Sequence, residues 1–420
     1  MRWRRQWAYL AGLRNESFGR PSDFAQDRLR MKFLHTSDWH VGKPLRDRPR
    51  WDEYEAVLQQ VLDIARQERV DCLLVAGDIY DSHVPPPEAE RLVFDFLREL
   101  LDTGIPAVIA AGNHDHPKRF AAPSRILEAC RIHIRGDPLT PERGGVLEIP
   151  SRDGRETACV AVLPWVHERR VLELDALADP AQPGRPFQQY AERVANMAGH
   201  LAAAFRASAI NVFLGHLMID GAVVSPGGGE RLLHLGQVYA VAPQRLPQSA
   251  SYIALGHLHR PQSIAAAAET RYAGSLLQLD FGERGQEKSV FLVDVHPGRP
   301  PRVEPVPITA GRRLRDVESA LADLPHLAPQ VGDDHLRVMV HLDHPVPNLA
   351  EQVREFLPNA VAVEAKYRQP RPVEESRELG RLTPEERLQR YYREVHGGEL
   401  PQPLLALFRQ LQGEVQGAAP

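Results

Sequence analysis

The sequence predicts an α/β fold with a largely parallel sheet, and three observations carry that expectation. Apolar runs of strand length alternate with longer segments of helical period, the pattern of right-handed strand–helix–strand crossovers. Within several runs the apolar residues are continuous rather than alternating, as in strands buried on both faces. Five of the runs end abruptly in short polar clusters, at the edge where an α/β sheet presents its ligand crevice. Composition agrees: 43% hydrophobic and 25% charged residues describe a globular chain, and 420 residues suffice for about two or three domains.

Met31-Lys32-Phe33-Leu34-His35-Thr36 opens the pattern as a strand. Between Asp52 and Arg69, Tyr54, Val57, Leu58, Val61, Leu62 and Ala65 recur with the helical period and make one apolar face. Cys72 to Ala76 is a second buried strand. Pro87 to Asp102 is a second helix, started by prolines, striped by Leu92, Phe96, Leu97, Leu100 and Leu101, and stopped by Gly104. Ile105 to Ala111 is the third strand, and Gly112 makes the sharp turn after it. Val146 to Ile149 and Ala158 to Trp165 flank a Ser151-Arg152-Asp153-Gly154 turn and read as a hairpin. A helix from Phe187 to Ala207 leads to strands at Ile210 to Leu214, Tyr252 to Leu255 and Ser289 to Val295. The glycine-rich Ser225 to Gly229 reads as a mobile loop. Past Pro297 to Pro301 the spacing predicts a helix at Leu314 to Leu324, a strand at His335 to Leu342, a helix at Asn348 to Phe356 and a strand at Val361 to Ala365. A charged segment, Glu374 to Arg381, precedes two final helices, Thr383 to Val395 and Pro401 to Val415. The expected division is therefore an extension over residues 1–30, a catalytic domain over 31–285, a small α+β domain over 286–372, and a linker with two helices over 373–420.

Several function classes are excluded or left open at this level. No uninterrupted apolar stretch approaches the roughly 20 residues that span a bilayer. The arginine-rich residues 1–30 lack the apolar core of a secretory signal, so Met31 is expected to be the natural start. A net charge of -4 does not decide for or against nucleic acid, because a basic footprint can occupy one face of an acidic protein. Cys72, Cys130 and Cys159 form no C-x-x-C pair and read as small core residues in a reducing, cytoplasmic compartment.

The polar clusters are Asp38-Trp39-His40, Gly77-Asp78-Ile79-Tyr80-Asp81, Gly112-Asn113-His114-Asp115, Gly215-His216 and Gly256-His257-Leu258-His259. Parallel strands present their C-terminal ends at one edge, so positions far apart in sequence converge there. The donors are carboxylate and amide oxygens and imidazoles without a thiolate, which suits manganese or a similar divalent ion over a structural zinc cage. A carboxylate shared between two ions would suit an in-line phosphoryl displacement.

In this order, D-x-H, G-D-x-x-D, G-N-H-D, G-H and G-H-x-H resembles the calcineurin-like metallophosphoesterases. More narrowly, Leu34 to His40, Tyr252 to His259 and Arg271-Tyr272-Ala273-Gly274-Ser275 resemble the SbcD family, the nuclease subunits of bacterial SbcCD DNA-repair complexes. The resemblance runs from Met31 to the C-terminal helices and is strongest over residues 31–283. It implies an αββα sandwich with a small α+β capping domain and a C-terminal helical tail. It further implies two Mn2+ ions, one held by Asp38, His40, Asp78 and His259, the other by the bridging Asp78 with Asn113, His216 and His257. By the same resemblance His114 faces the scissile phosphate and protonates the departing oxygen, and Asp115 orients a histidine. DNA is the implied substrate and the SbcC ATPase the implied partner, with a homodimer inside a heterotetramer and no membrane association. The chain departs from relatives at Asp81, where archaeal and eukaryotic members commonly carry His, and at Leu276, where proline is frequent.

Other readings stand beside these. His35 and His83 are read as structural histidines and His116 as a loop residue. The Pro87 to Asp102 stripe is read as packing on the sheet, with a dimer interface as the alternative. The apolar faces around Leu388, Tyr391 and Tyr392 and around Leu404, Leu405, Leu407, Phe408 and Leu411 need a cover, either SbcC or the chain's own small domain. The charged segments Ser225 to Arg231 and Glu283 to Lys288 are read either as DNA-backbone contacts or as solvated loops. Rival functions are another phosphoesterase of the same superfamily, acting on a phosphomonoester or cyclic nucleotide, and a scaffold subunit with little catalysis.

Overall fold

Two six-stranded sheets stack face to face, and the continuous apolar runs are what allow them to be covered on both sides. The computed structural model describes residues 30–167, 185–225, 240–367 and 382–417. The expected extension, all but its last residue, and the segments Pro226 to Gly229 and Glu374 to Arg381 lie outside the described residues.

The first sheet is built from β1 (Met31–Thr36), β2 (Cys72–Ala76), β3 (Ala107–Ala110) and β4 (Ile132–Arg135), all parallel. The second contains β5 (Val146–Pro150), β6 (Thr157–Leu163), β7 (Ile210–His216), β8 (Tyr252–Gly256), β9 (Gln262–Ile264) and β10 (Glu269–Tyr272), in the order β5-β6-β7-β8-β10-β9. Its four inner strands are parallel and its two edges antiparallel. The first sheet is completed by β11 (Ser289–Val295), antiparallel to β1, and β12 (Arg302–Pro307), antiparallel to β11.

Alternate residues of each run point to opposite faces. Phe33, Cys72, Leu74, Ala76, Val108 and Ala110 meet Val160, Val162, Val212, Leu214, Tyr252 and Ala254 in the core between the sheets. Their neighbours Leu34, Leu73, Val75, Ala107 and Ile109 turn outward under helices α1 (Trp51–Gln67) and α2 (Pro87–Thr103). The α2 stripe of Leu92, Phe96, Leu97 and Leu100 is therefore used up in packing on the sheet, and Gly104 ends the helix in the left-handed conformation at φ 69°. On the far side, α4 (Arg185–Ala202) lays Tyr190, Val194, Ala198 and Leu201 over the second sheet. The result is the αββα sandwich.

Helix α3 (Pro117–Ala129) has no counterpart among the expected elements, and neither Pro117 nor Pro123 breaks it. Pro117 occupies its first turn, while Pro123 is tolerated inside. Strand β12 likewise has no expected counterpart: Pro305 and Pro307 are acceptable in it only because the strand forms the sheet edge.

By internal contacts the chain divides into two compact units, Met1–Lys43 with Pro49–Gly311, and Pro44–Arg48 with Arg312–Pro420. The catalytic domain was expected to end at residue 285, whereas the first compact unit runs on to Gly311. Strands β11 and β12 belong to the first sheet because β11 pairs with β1 and β12 with β11, which no local pattern reveals. The second unit holds a parallel three-stranded sheet, β13 (Leu314–Ala320), β14 (His335–Leu342) and β15 (Ala360–Tyr367). Helices α5 (Leu324–Val331) and α6 (Leu349–Phe356) form the crossovers and pack Leu324, Val331 and Val353 on Leu336, Val338 and Val340. The helix expected at Leu314 to Leu324 is corrected to a strand: its Leu and Ala content favours helix, but pairing along β14 overrides that preference. The tail forms α7 (Pro384–His396), begun by a Thr383–Glu386 capping box, and α8 (Gln402–Gly417). Among the described residues no helix is long and apolar enough to cross a membrane.

Candidate metal centre

All five polar clusters meet at the C-terminal ends of β1, β2, β3, β7 and β8, and the backbone is bent to bring them there. Asp38 N donates to Gly77 O and His40 N to Asp78 O, each at 2.9 Å. Asp38, His40, Asp78 and His257 adopt left-handed φ angles of 50°, 48°, 52° and 108°. Non-glycine residues rarely adopt this conformation, at about 1 to 3 kcal/mol each, and such strain concentrates where side chains must be aimed at a ligand. Gly112 is needed for space rather than for a turn. A Cβ there would lie 2.1 Å from Asp78 Oδ1 and 2.4 Å from Asp78 N.

The donor atoms form three overlapping groups, one of them His40, Asp78 and His114. Asp38, His40 and His259 offer ligand atoms that lie within 4.8 Å of one another, as do Asp38, Asp78 and His216. Asp78 stands between them, its Oδ2 3.5 Å from both His40 Nε2 and His216 Nε2. Asn113 Oδ1 lies 3.0 Å from both His216 Nε2 and His257 Nδ1. Asp38 is held in place by Ser37 Oγ, which donates to Oδ2 at 2.5 Å, and by His257 N, which donates to Oδ1 at 3.0 Å.

These atoms fit divalent cations for a chemical reason. His216 Nδ1 donates to Ala76 O at 2.7 Å, so in the neutral ring Nε2 turns a lone pair toward the Asn113 oxygen. His259 Nδ1 donates to Glu283 Oε1 at 2.8 Å, leaving its Nε2 facing His40 Nε2 at 3.1 Å. Acceptors packed against acceptors call for a cation or a proton between them. The charges respond accordingly. Burial opposes a charged His216, but the Asp78 carboxylate beside it pushes its pKa up to about 9. Burial would likewise raise Asp78, yet His216 and His40 hold it well below the usual carboxylate range. His257 is pushed down to about 3, by burial first and then by the His216 charge.

His114 sits at the edge of this group, its ring centroid 4.8 Å from that of His40. Its backbone N donates to Asp78 Oδ1 at 2.8 Å, and its Nδ1 donates to Asp81 O at 2.7 Å, which leaves Nε2 as the atom able to exchange a proton. Asp81 also binds Lys43 Nζ at 3.1 Å and lies 3.3 Å from His40 Nδ1. The expectation that Asp115 orients a histidine is corrected. Its buried carboxylate accepts the backbone N–H groups of Gly112 at 2.8 Å, Tyr80 at 3.0 Å and Ile79 at 3.1 Å. It ties the Gly112 turn to the Asp78 turn; a short side chain bonding nearby amides is favoured over reaching a ring.

His35 is a buried structural histidine, 2.9 Å from Tyr252 Oη, and His83 is exposed with Nε2 donating to Asn113 O at 3.0 Å. Cys72 and Cys159 are buried, whereas Cys130, expected in the core, is exposed just after α3. Sequence reasoning misses three residues of the site. Trp165 stacks on His257 with ring centroids 5.1 Å apart and 27° between planes. Its position just after β6, matching the clusters after other strands, was the available signal. Glu283 and Lys288 look like surface charges in the sequence, but both are buried, at 0% and 6% exposure. Nothing local distinguishes them from a solvated turn, since their partner His259 is set by the tertiary fold.

The profile of the calcineurin-like phosphoesterases matches residues 31–261, and that of the type 5 capsule protein repressor C-terminal domain matches residues 308–396. The SbcD component of the nuclease SbcCD from Bacillus subtilis (strain 168) is 31% identical over 394 residues, 92% of this chain and 99% of that one. The SbcD component from Rhodobacter capsulatus is 34% identical over 284 residues, 66% of this chain and 69% of its own. That of Escherichia coli (strain K12) is 28% identical over 359 residues, 81% of this chain and 86% of its own. The chain thus belongs to the calcineurin-like phosphoesterase family and, within it, to the SbcD group of metal-dependent nucleases.

Proposed function

We propose that this chain cleaves DNA phosphodiester bonds with two divalent ions, Mn2+ in the cell, as the nuclease half of a complex with an SbcC-type ATPase. The observation that carries the reading is the placement of Asp78 between two donor groups, with Asn113, His216 and His257 on one side and Asp38, His40 and His259 on the other. Bound there, the ions would supply Lewis-acid stabilisation of phosphoryl charge and lower the pKa of water. The chain's own groups do the rest. His114 is the general acid: the Asp81 carbonyl orders its Nδ1–H, and Nε2 delivers the proton to the departing oxygen. Trp165 walls the His257 side and shields it from water.

The activities that follow are endonucleolytic cleavage of single strands, opening of hairpins, and 3′ to 5′ digestion of duplex ends when the ATPase is present. The assembly proposed is a homodimer within a heterotetramer in the cytoplasm. Support for a partner comes from the tail, where Tyr391, Leu404, Leu407 and Leu411 are 60%, 42%, 50% and 49% exposed on α7 and α8.

The test offers the purified protein and Mn2+ a single-stranded oligonucleotide, a hairpin and a small phosphomonoester, alongside His114→Ala. Cleavage of the oligonucleotide and hairpin is expected, with His114→Ala binding both ions but losing at least about 100-fold in rate. Turnover of the monoester alone would make the protein a phosphomonoesterase. Full activity of His114→Ala would remove the acid role.

A further inference from the structure

Behind His259, on the side away from the other donors, lies a buried pair of opposite charges that the phosphodiesterase chemistry does not itself require. Glu283 Oε1 accepts from His259 Nδ1 at 2.8 Å, and Glu283 Oε2 accepts from Lys288 Nζ at 2.7 Å and from Leu279 N at 3.1 Å. Lys288 Nζ also donates to His259 O at 2.8 Å and to Ser275 Oγ at 2.9 Å. The lysine therefore grips the backbone of residue 259 while the glutamate grips its ring.

A buried ion pair is weak evidence for stability, because the desolvation it costs often equals the attraction it gains. What this pair does supply is direction. With Nδ1–H committed to a carboxylate, the imidazole of His259 is restricted to one tautomer and one rotation, with the Nε2 lone pair turned toward His40 Nε2 3.1 Å away. The carboxylate also makes that ring a stronger donor than a carbonyl would, as at His216, where the partner is Ala76 O. Lys288 neutralises Glu283, so the pair brings this effect without adding net charge behind the site.

We propose that Glu283 and Lys288 are positioning residues that hold His259 as a preformed, strengthened ligand for one of the two ions, the one shared with Asp38 and His40. This rests on the reading of the site as a two-metal centre. The prediction is selective: disturbing the pair weakens one ion and spares the other.

The experiment titrates Mn2+ into the whole protein by calorimetry for wild type, Glu283→Ala and the charge-neutral double variant Glu283→Leu/Lys288→Met, which removes the acceptor and keeps the buried site uncharged should the single variant not fold. Nitrogen NMR of the metal-free proteins reads the His259 tautomer independently of activity. In the wild type the Nδ1–H form is expected. In both variants one Mn2+ equivalent should bind about 10- to 100-fold more weakly with the other unchanged, and the tautomer preference should be lost. Two wild-type affinities in a folded variant would overturn the positioning role, as would equal weakening of both ions. Failure of the wild type to bind Mn2+ would instead overturn the two-metal reading, and the positioning role with it.

Discussion

Gly112→Ala tests whether the close approach of two turns is what sets the bridging carboxylate. The added methyl would lie 2.1 Å from Asp78 Oδ1, 2.4 Å from Asp78 N and 2.7 Å from Asp78 Cγ, where 3.4 Å is an ordinary contact. Because a backbone nitrogen is among these atoms, turning the Asp78 side chain cannot relieve the clash; its main chain must withdraw by roughly 1 Å. That turn is also bound to Asp38, His40, His114 and Asp115 through Gly77 O, Asp78 O, Asp78 Oδ1 and the Ile79 and Tyr80 amides. The displacement is thus passed to both donor groups. Overpacking of this kind costs about 1 to 3 kcal/mol of stability. A misplacement of about 1 Å at the reacting groups costs on the order of 100-fold in rate. Urea unfolding gives the first quantity, and oligonucleotide cleavage with parallel Mn2+ calorimetry the second. Both Mn2+ equivalents should weaken together, in contrast to the selective effect expected at Glu283. A folded Gly112→Ala protein with wild-type Mn2+ affinities and turnover would refute the argument that this contact fixes Asp78.

Asp115→Ala leaves the amides of Gly112, Ile79 and Tyr80 without their acceptor and should cost on the order of 3 kcal/mol in urea unfolding. A loss below about 1 kcal/mol would mean that water or a shifted backbone replaces the carboxylate. Chelation should abolish cleavage and make the melting temperature depend on Mn2+, with about 2.7 kcal/mol of stabilisation at a hundredfold excess over Kd. A melting temperature indifferent to Mn2+ would contradict a metal centre in the folded state. His35 gives a pH signature away from the ligands. Burial pushes its pKa down from 6.5 to about 3, so the unfolded chain takes up the proton first as pH falls. Its contribution is whole above pH 6.5 and is lost progressively toward pH 3. Between about pH 7 and pH 4 the wild type should lose on the order of 3 kcal/mol more than His35→Gln, and parallel stability curves would show that His35 is not held neutral.

The candidate site was legible in the sequence because each polar cluster follows directly on a strand that is itself locally encoded. The runs Leu73-Leu74-Val75 and Val108-Ile109 alternate between two buried faces, so they are apolar without interruption, and a polar cluster at their ends stands out. Position along a parallel strand then predicts that the clusters converge at one edge, while the candidate ligands within them, Asp38, His40, Asp78, Asn113, His216, His257 and His259, are those the family resemblance implies. Trp165 obeys the same rule at the end of β6 but carries no ligand atom, so nothing in its chemistry singles it out. What only the tertiary structure decided depends on partners distant in sequence. Strand β11 joins the first sheet by pairing back to β1 at residue 31, β12 follows it by pairing with β11, and β13 is a strand only because β14 lies beside it. Asp115 bonds to a turn 35 residues away, according to the separation of its Tyr80 contact. Glu283 and Lys288 are drawn inside because His259 needs a partner there. A charged side chain in a short turn has the same local pattern whether water or a buried imidazole receives it, and only the packing of the whole chain distinguishes the two.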